Sequence, residues 1–287
     1  MRIGGGVVYG GPRANALPLL LSHGRACVRC YSSSSSPDHV AFVKDIAATQ
    51  PPEHLSQLLS VLKAKGETIV FPGARQGLIP LAIPLTKSCS GAVTALLRWP
   101  TAPPGMEMPV VDVDKHGVKL LAKSVGLFPD IIERKVMRHF EEGDHVSALI
   151  TGEFYTKKEH FPGFARPFVF NAEVLLRAGR NVEAKDAARG ALKSPWWTLG
   201  CKYEDVAKIA QWDDEQIEYI KEKVTEEGRQ EDIKKGKAPQ QVVLDEAAFL
   251  MDLASIEGTW DDYLERIAEC YEEAGLNDIA RFILYRD

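Results

Sequence analysis

The chain has 287 residues, 45% of them hydrophobic and 26% charged, and a formal net charge of −5. That is the composition of a globular protein with length for one large domain or two modest ones. The acidic balance argues against nonspecific nucleic-acid binding, which needs Lys and Arg to replace phosphate counterions. The longest apolar-leaning runs, 77–85 and 91–99, are broken by Pro80, Pro84 and Arg98, so none reaches the ~18–20 residues of a transmembrane segment.

Residues 1–37 carry Arg2, Arg13, Arg25 and Arg29 and a run of serines from Ser32 to Ser36, with no acidic residue before Asp38. A basic, acid-free, hydroxyl-rich start is the pattern of a mitochondrial or chloroplast transit peptide. A secretory signal is a poor fit, because the apolar stretch Leu17–Leu21 is short and contains Pro18. Without the four leader arginines the remainder carries −9. Cys27 and Cys30 form a C-x-x-C inside this leader, outside any thioredoxin-like βαβ context. Cys89, Cys201 and Cys270 are widely spaced and read as unpaired thiols of a reducing compartment.

Two short helices are predicted after the serine run. The second follows Pro51–Pro52, places Leu55, Leu58, Leu59 and Leu62 on one face, and stops at Gly66. Extended segments come next: Thr68–Phe71, ended by Pro72–Gly73, and Gly91–Trp99, ended by Pro100. Val110–Val113 and Val118–Leu121 flank Asp114–Gly117 as a hairpin. Residues 38–125 thus read as a small α+β domain, with a mixed or antiparallel sheet against two helices.

Residues 126–287 read as a helical domain. Phe164, Phe168, Ala172, Leu175 and Leu176 share a face up to Gly179; Asn181 is placed to cap a second helix with a small face of Ala184, Ala187, Ala188 and Ala191. The device recurs with Trp260, Tyr263, Leu264, Ile267, Ala268 and Tyr271 before Gly275, and a restart at Asn277. These are αα-hairpins of tetratricopeptide-like appearance. No 34-residue period joins them, so a bundle is expected and not a solenoid. Between them, 213–237 holds nine acidic and six basic residues around Ile217, Ile220 and Val224, and Val243, Ala247, Leu250, Met251 and Ala254 mark a further helix after Pro239.

Catalytic signatures are missing from this pattern. The loop Gly73–Gly77 follows a strand, as phosphate-cradling loops do, and Arg75 is a candidate anion contact. The loop lacks the Lys-Ser/Thr of a P-loop and a following helix. His139, Glu141, Glu142, Asp144 and His145 cluster at the end of a helix bearing Ile131, Ile132, Val136 and Phe140, without the two His one turn apart that a zinc helix needs. Lys157 to His160 offers a His and a carboxylate, with no convergence that sequence establishes. Interaction candidates remain. Adjacent Trp196 and Trp197 cannot both face one core from a continuing helix, leaving either one exposed anchor or two rings buried between layers. Trp212, Asp213, Asp214 and Glu215 offer an acidic surface for a basic partner, or a solvated helix start.

Four stretches carry a family resemblance: Gly66–Pro80 (GETIVFPGARQGLIP), Leu96–Pro109 (LLRWPTAPPGMEMP), Gly152–Glu159 (GEFYTKKE) and Ala188–Cys201 (ARGALKSPWWTLGC). The chain from about His39 onward resembles the plant plastid family named Protein in chloroplast ATPase biogenesis. The resemblance implies a non-enzymatic stromal assembly factor that helps join the γ subunit of the F-type ATP synthase to the α/β catalytic head. It implies no catalytic residue, metal or cofactor. It also implies a longer segment in relatives where this chain passes from strand to helix at Ser124–Gly126. The alternatives from residues alone are an organellar enzyme acting on an anion at Gly73–Gly77, and a helical adaptor of the mitochondrial matrix.

Overall fold

The computed structural model describes residues 38–102, 107–122, 128–157, 161, 163–212 and 214–286. The leader with Cys27 and Cys30, the Ser124–Gly126 junction and Asp213 lie outside the described residues. Residues 36–287 form one compact unit with an α+β architecture: an N-terminal antiparallel sheet with helices, then a run of helices.

Asp38 opens α1 (His39–Asp45) by accepting the Ala41 N–H at 3.1 Å. Helix α2 (Leu55–Ala64) buries Leu55 and Leu62 and is followed by Gly66 at φ +88°, the left-handed position where glycine is least strained. The sheet is a meander in chain order, β1 (Thr68–Ile69), β2 (Ala82–Lys87), β3 (Val93–Leu97), β4 (Val110–Asp114) and β5 (Gly117–Ala122), with every neighbour antiparallel.

Strand β2 is the element that its prolines hide in the sequence. Pro84 sits inside it, beside an irregularity between Pro84 and Thr86. Two-residue β1 pairs only Thr86 and Lys87, so Pro84 meets no ladder on that side and its missing N–H leaves no gap. Its carbonyl is 3.1 Å from His39 Nε2. The β4–β5 turn is closed by Asp114 Oδ1, which accepts the N–H groups of His116 and Gly117 at 2.7 and 3.0 Å. Gly117 has φ +144°, and a Cβ there would lie 2.1 Å from the Trp197 carbonyl. Only glycine permits that approach.

The helices are α3 (Pro129–Glu141), α4 (His145–Tyr155), α5 (Arg166–Arg177), α6 (Asn181–Ala191), a 3-10 turn (Trp196–Thr198), α7 (Tyr203–Ala210), α8 (Glu215–Lys223), α9 (Glu226–Lys234), α10 (Pro239–Glu257), α11 (Trp260–Glu273) and α12 (Asn277–Leu284). The predicted hairpins are α5–α6, with Ala184, Ala188 and Ala191 fully buried, and α11–α12. A third, α3–α4, precedes them. Asn181 begins α6 but does not cap it; Arg180 holds the cap position. The charged segment divides into α8 and α9, because Thr225 Oγ1 accepts the Gly228 N–H at 3.1 Å and starts a new helix.

A buried ion pair fixes the middle hairpins. Arg166 Nε and Nη2 donate to the two oxygens of Glu133 on α3, both at 2.9 Å, and Nη1 donates to Glu173 at 2.9 Å. Tyr155 Oη donates to Glu133 at 3.3 Å. Burial pulls the Arg166 guanidinium down, but Glu133 and then Glu173 outweigh it and hold it above the ordinary arginine range.

Two hydrophobic clusters form the interior. One spans the sheet, α3–α5 and α11–α12; the other lies among α5, α6, α7, α8 and α10. Bonds between residues distant in the chain join the sheet loops to the C-terminal helices: Gly77 N–H donates to Asp261 Oδ2 at 3.0 Å, and Trp260 Nε1 to the Lys115 carbonyl at 3.0 Å.

Asp252 on α10 is buried and accepts the Trp196 N–H at 2.7 Å. Burial pushes its carboxyl well above the carboxylate range, with the Trp196 bond pulling the other way. A raised folded pKa contributes stability that is fully present below the unfolded value of about 3.9 and is lost as pH rises through the folded value. Asp252→Asn keeps the acceptor and removes the proton. Urea unfolding from pH 4 to 8 should therefore show a shallower decline for Asp252→Asn, with stability at pH 7 no lower than wild type. Asp252→Leu, which orphans the Trp196 N–H, should lose about 1–3 kcal/mol.

Candidate partner-binding surface

Arg75 is in the interior. Its side chain is 0% exposed and donates to three main-chain carbonyls: Ala82 at 3.0 Å, Phe282 at 2.5 Å, and Pro80. The guanidinium carbon lies 3.9 Å from the Phe282 ring centroid, a cation–π stack. Burial first, and Arg286 second, push its pKa down to about 9. The reading of Arg75 as an anion contact is therefore corrected: its donors are spent on carbonyls, and it pins the Gly73–Gly77 loop to α12.

The tryptophan pair is also internal, at 3% exposure for both Trp196 and Trp197. They do not share one core. Trp197 belongs to the sheet-side cluster, its ring 5.3 Å from that of Trp99 between centroids, while Trp196 belongs to the helical cluster, 4.4 Å from Tyr203. A 3-10 turn advances about 120° per residue, which sends neighbouring side chains to different clusters. Neither ring reaches the surface, so an exposed Trp196 or Trp197 anchor is not part of this fold.

The acidic start of α8 is at the surface. Asp214 and Glu215 are exposed, and Trp212 is half-buried with the Arg189 guanidinium 5.7 Å from its ring centroid. Glu215 and Glu218 lie in the first turn, where negative charge complements the helix dipole. His139 and Asp144 stand 3.9 Å apart, and Asp144 caps α4 through the Ser147 N–H at 2.9 Å. No group of three metal-ligating side chains occurs among the described residues.

A different surface stands out, and the residue reading missed it. Val146, Leu149, Ile150 and Glu153 of α4, Asn171 and Leu175 of α5, Arg180, and Glu183, Asp186 and Ala187 of α6 line a groove of about 560 Å³. The three most exposed large apolar side chains among the described residues are Val182 at 75%, Val146 at 67% and Ile150 at 63%. Two line the groove, and Val182 is next to Glu183 on its rim. Helix α4 is apolar on two sides: Ala148 and Tyr155 face inward while Val146, Ile150 and Phe154 face out. That double face, legible in HVSALITGEFY, is the signal that could have identified it.

The rim is acidic. Arg180 donates twice to Glu183, at 2.5 Å each, and this bonding holds the Glu183 carboxyl below its ordinary range. Glu153, Glu183 and Asp186 outnumber Arg180, leaving the rim with excess negative charge. Apolar floor and acidic edge together suit protein recognition.

Three family models match the chain: PAB N-terminal over residues 37–150, PAB middle domain over 129–213, and PAB C-terminal domain over 217–285. A relative from Arabidopsis thaliana, named Protein IN CHLOROPLAST ATPASE BIOGENESIS, chloroplastic, is 58% identical over 326 aligned positions, covering 96% of this chain and 97% of its own. The aligned span exceeds the 287 residues present here, so the Arabidopsis protein carries residues without counterpart in this chain. No solved structure matches.

Proposed function

The chain belongs to the PAB family, and from that premise we propose that it assists the assembly of the chloroplast F-type ATP synthase. It acts in the stroma as a non-enzymatic chaperone that helps join the γ subunit to the α/β catalytic head and is absent from the finished enzyme. The near-full-length match to a protein named for ATPase biogenesis in chloroplasts carries this reading. The acid-free leader, the net-acidic helical body and the groove on α4–α6 support it. Burial of Arg75 removes the observation on which an anion-processing enzyme rested. We further place the relative's additional residues at Ser124–Gly126, in the stretch of sequence between β5 and α3.

Loss of the protein should lower assembled ATP synthase severalfold while subunit synthesis continues. Native gels of a null plant, with pulse labelling of the subunits, measure both. Normal abundance of the complex would reject the proposal.

A further inference from the structure

We infer that the groove between α4 and the α5–α6 hairpin docks an amphipathic helix of a partner protein, with an apolar stripe flanked by Lys or Arg. The stripe lies on Val146, Leu149 and Ile150, and the basic residues meet Glu153, Glu183 and Asp186.

The floor supplies the first reason. Val146, Leu149 and Ile150 recur at i, i+3 and i+4 on α4, and two of them are among the most exposed apolar residues described. Apolar surface exposed in this way is unfavourable in water, and that cost is recovered on burial against a partner. The walls supply the second. They are helices, whose backbone groups are already paired, so they offer no ladder for an extended peptide. A partner helix likewise satisfies its own backbone and presents its stripe to an apolar groove.

Charge selects the sequence of that helix. Arg180 is engaged with Glu183, and the remaining carboxylates give the rim its negative excess, which attracts a basic partner and repels an acidic one. The same charge argues against a second copy of this chain, because a two-fold contact would set each acidic rim against its twin.

The identity of the partner as the γ subunit rests on the assembly reading above; the chemistry of the groove does not. The experiment separates them. The full chain is titrated with a fluorescein-labelled 18-residue synthetic helix carrying Leu at i, i+3, i+4 and i+7 and Lys elsewhere, and anisotropy reports binding. Ile150→Lys and Val146→Lys should each weaken binding at least tenfold while leaving circular dichroism unchanged, as exposed sites allow. The double variant Glu183→Lys, Asp186→Lys should also weaken it, and should instead accept the peptide with Glu in place of Lys. A scrambled peptide of the same composition binding equally well, or affinity unchanged by Ile150→Lys, overturns the inference. Wild-type protein that sediments as a dimer and becomes monomeric on Ile150→Lys overturns it too. Purified γ subunit, assayed in parallel, should be captured by wild type and tenfold less by Ile150→Lys. Peptide binding without γ capture by wild type would sink the choice of γ and leave the groove standing.

Discussion

Substitution of Arg75 by Leu is expected to remove about 3 kcal/mol or more of stability. The replacement strands the buried carbonyls of Pro80 and Ala82, each worth about 1–3 kcal/mol when unpaired, and takes from the Phe282 carbonyl its bond to Arg75, leaving it the Tyr285 N–H at 3.3 Å. It also forfeits the stack on Phe282. Relief of a desolvated charge works in the opposite direction, which is why the net loss falls short of the summed hydrogen bonds. Arg75→Lys should recover little, because an ammonium group does not reproduce a planar fork. Thermal unfolding followed by circular dichroism should register a fall on the order of 10 °C; a melting temperature within a degree or two of wild type would refute the account. An Arg75→Ala variant is consequently a poor test of enzymatic function. Any activity it lost would be lost with the fold.

Arg166→Ala is expected to lose about 3–5 kcal/mol, because it leaves the buried Glu133 carboxylate without its bidentate partner. Glu133→Leu with Arg166→Met should recover most of that loss, since an apolar pair of similar volume carries no charge to desolvate. Urea unfolding of Glu133→Leu, Arg166→Met and their double variant closes a cycle, and a coupling below about 0.5 kcal/mol would refute the assignment. The pair also bears on binding. Arg166 begins α5, and Asn171 and Leu175 on the same helix line the groove between α4 and α6. Arg166→Ala should therefore weaken the partner helix without touching it, whereas the apolar pair should largely restore it.

The helical hairpins were legible in the sequence because their apolar faces repeat every three or four residues and glycine ends them, as at Gly179 and Gly275. The β4–β5 hairpin was legible for a similar reason, through Asp114 and Gly117. Strand β2 was not, because Pro80 and Pro84 signal interruption, and only the brevity of β1 makes Pro84 tolerable. Thr225 divides the charged segment through one side-chain bond, which periodicity does not register. Among site residues, Asp214 and Glu215 are at the surface, whereas Arg75, Trp196 and Trp197 are inside. An arginine in a glycine-flanked loop looks the same whether it awaits an anion or tethers a distant helix. The difference is made by Phe282, which no local reading of the loop could supply.

The bond between Arg75 and Phe282 spans 207 positions of chain, and that between Trp260 and Lys115 spans 145. A ribosome delivers the sheet long before the helices that seat it. Until about residue 282 has emerged, the loop after β1 holds a charged arginine with no second anchor, and the β4–β5 turn lacks the indole that covers it. Contacts this remote in sequence are slow to close, because the loop entropy must be surrendered before they form. The protein is thus built to acquire its stability late and together, once the C-terminal helices that anchor the sheet loops have emerged.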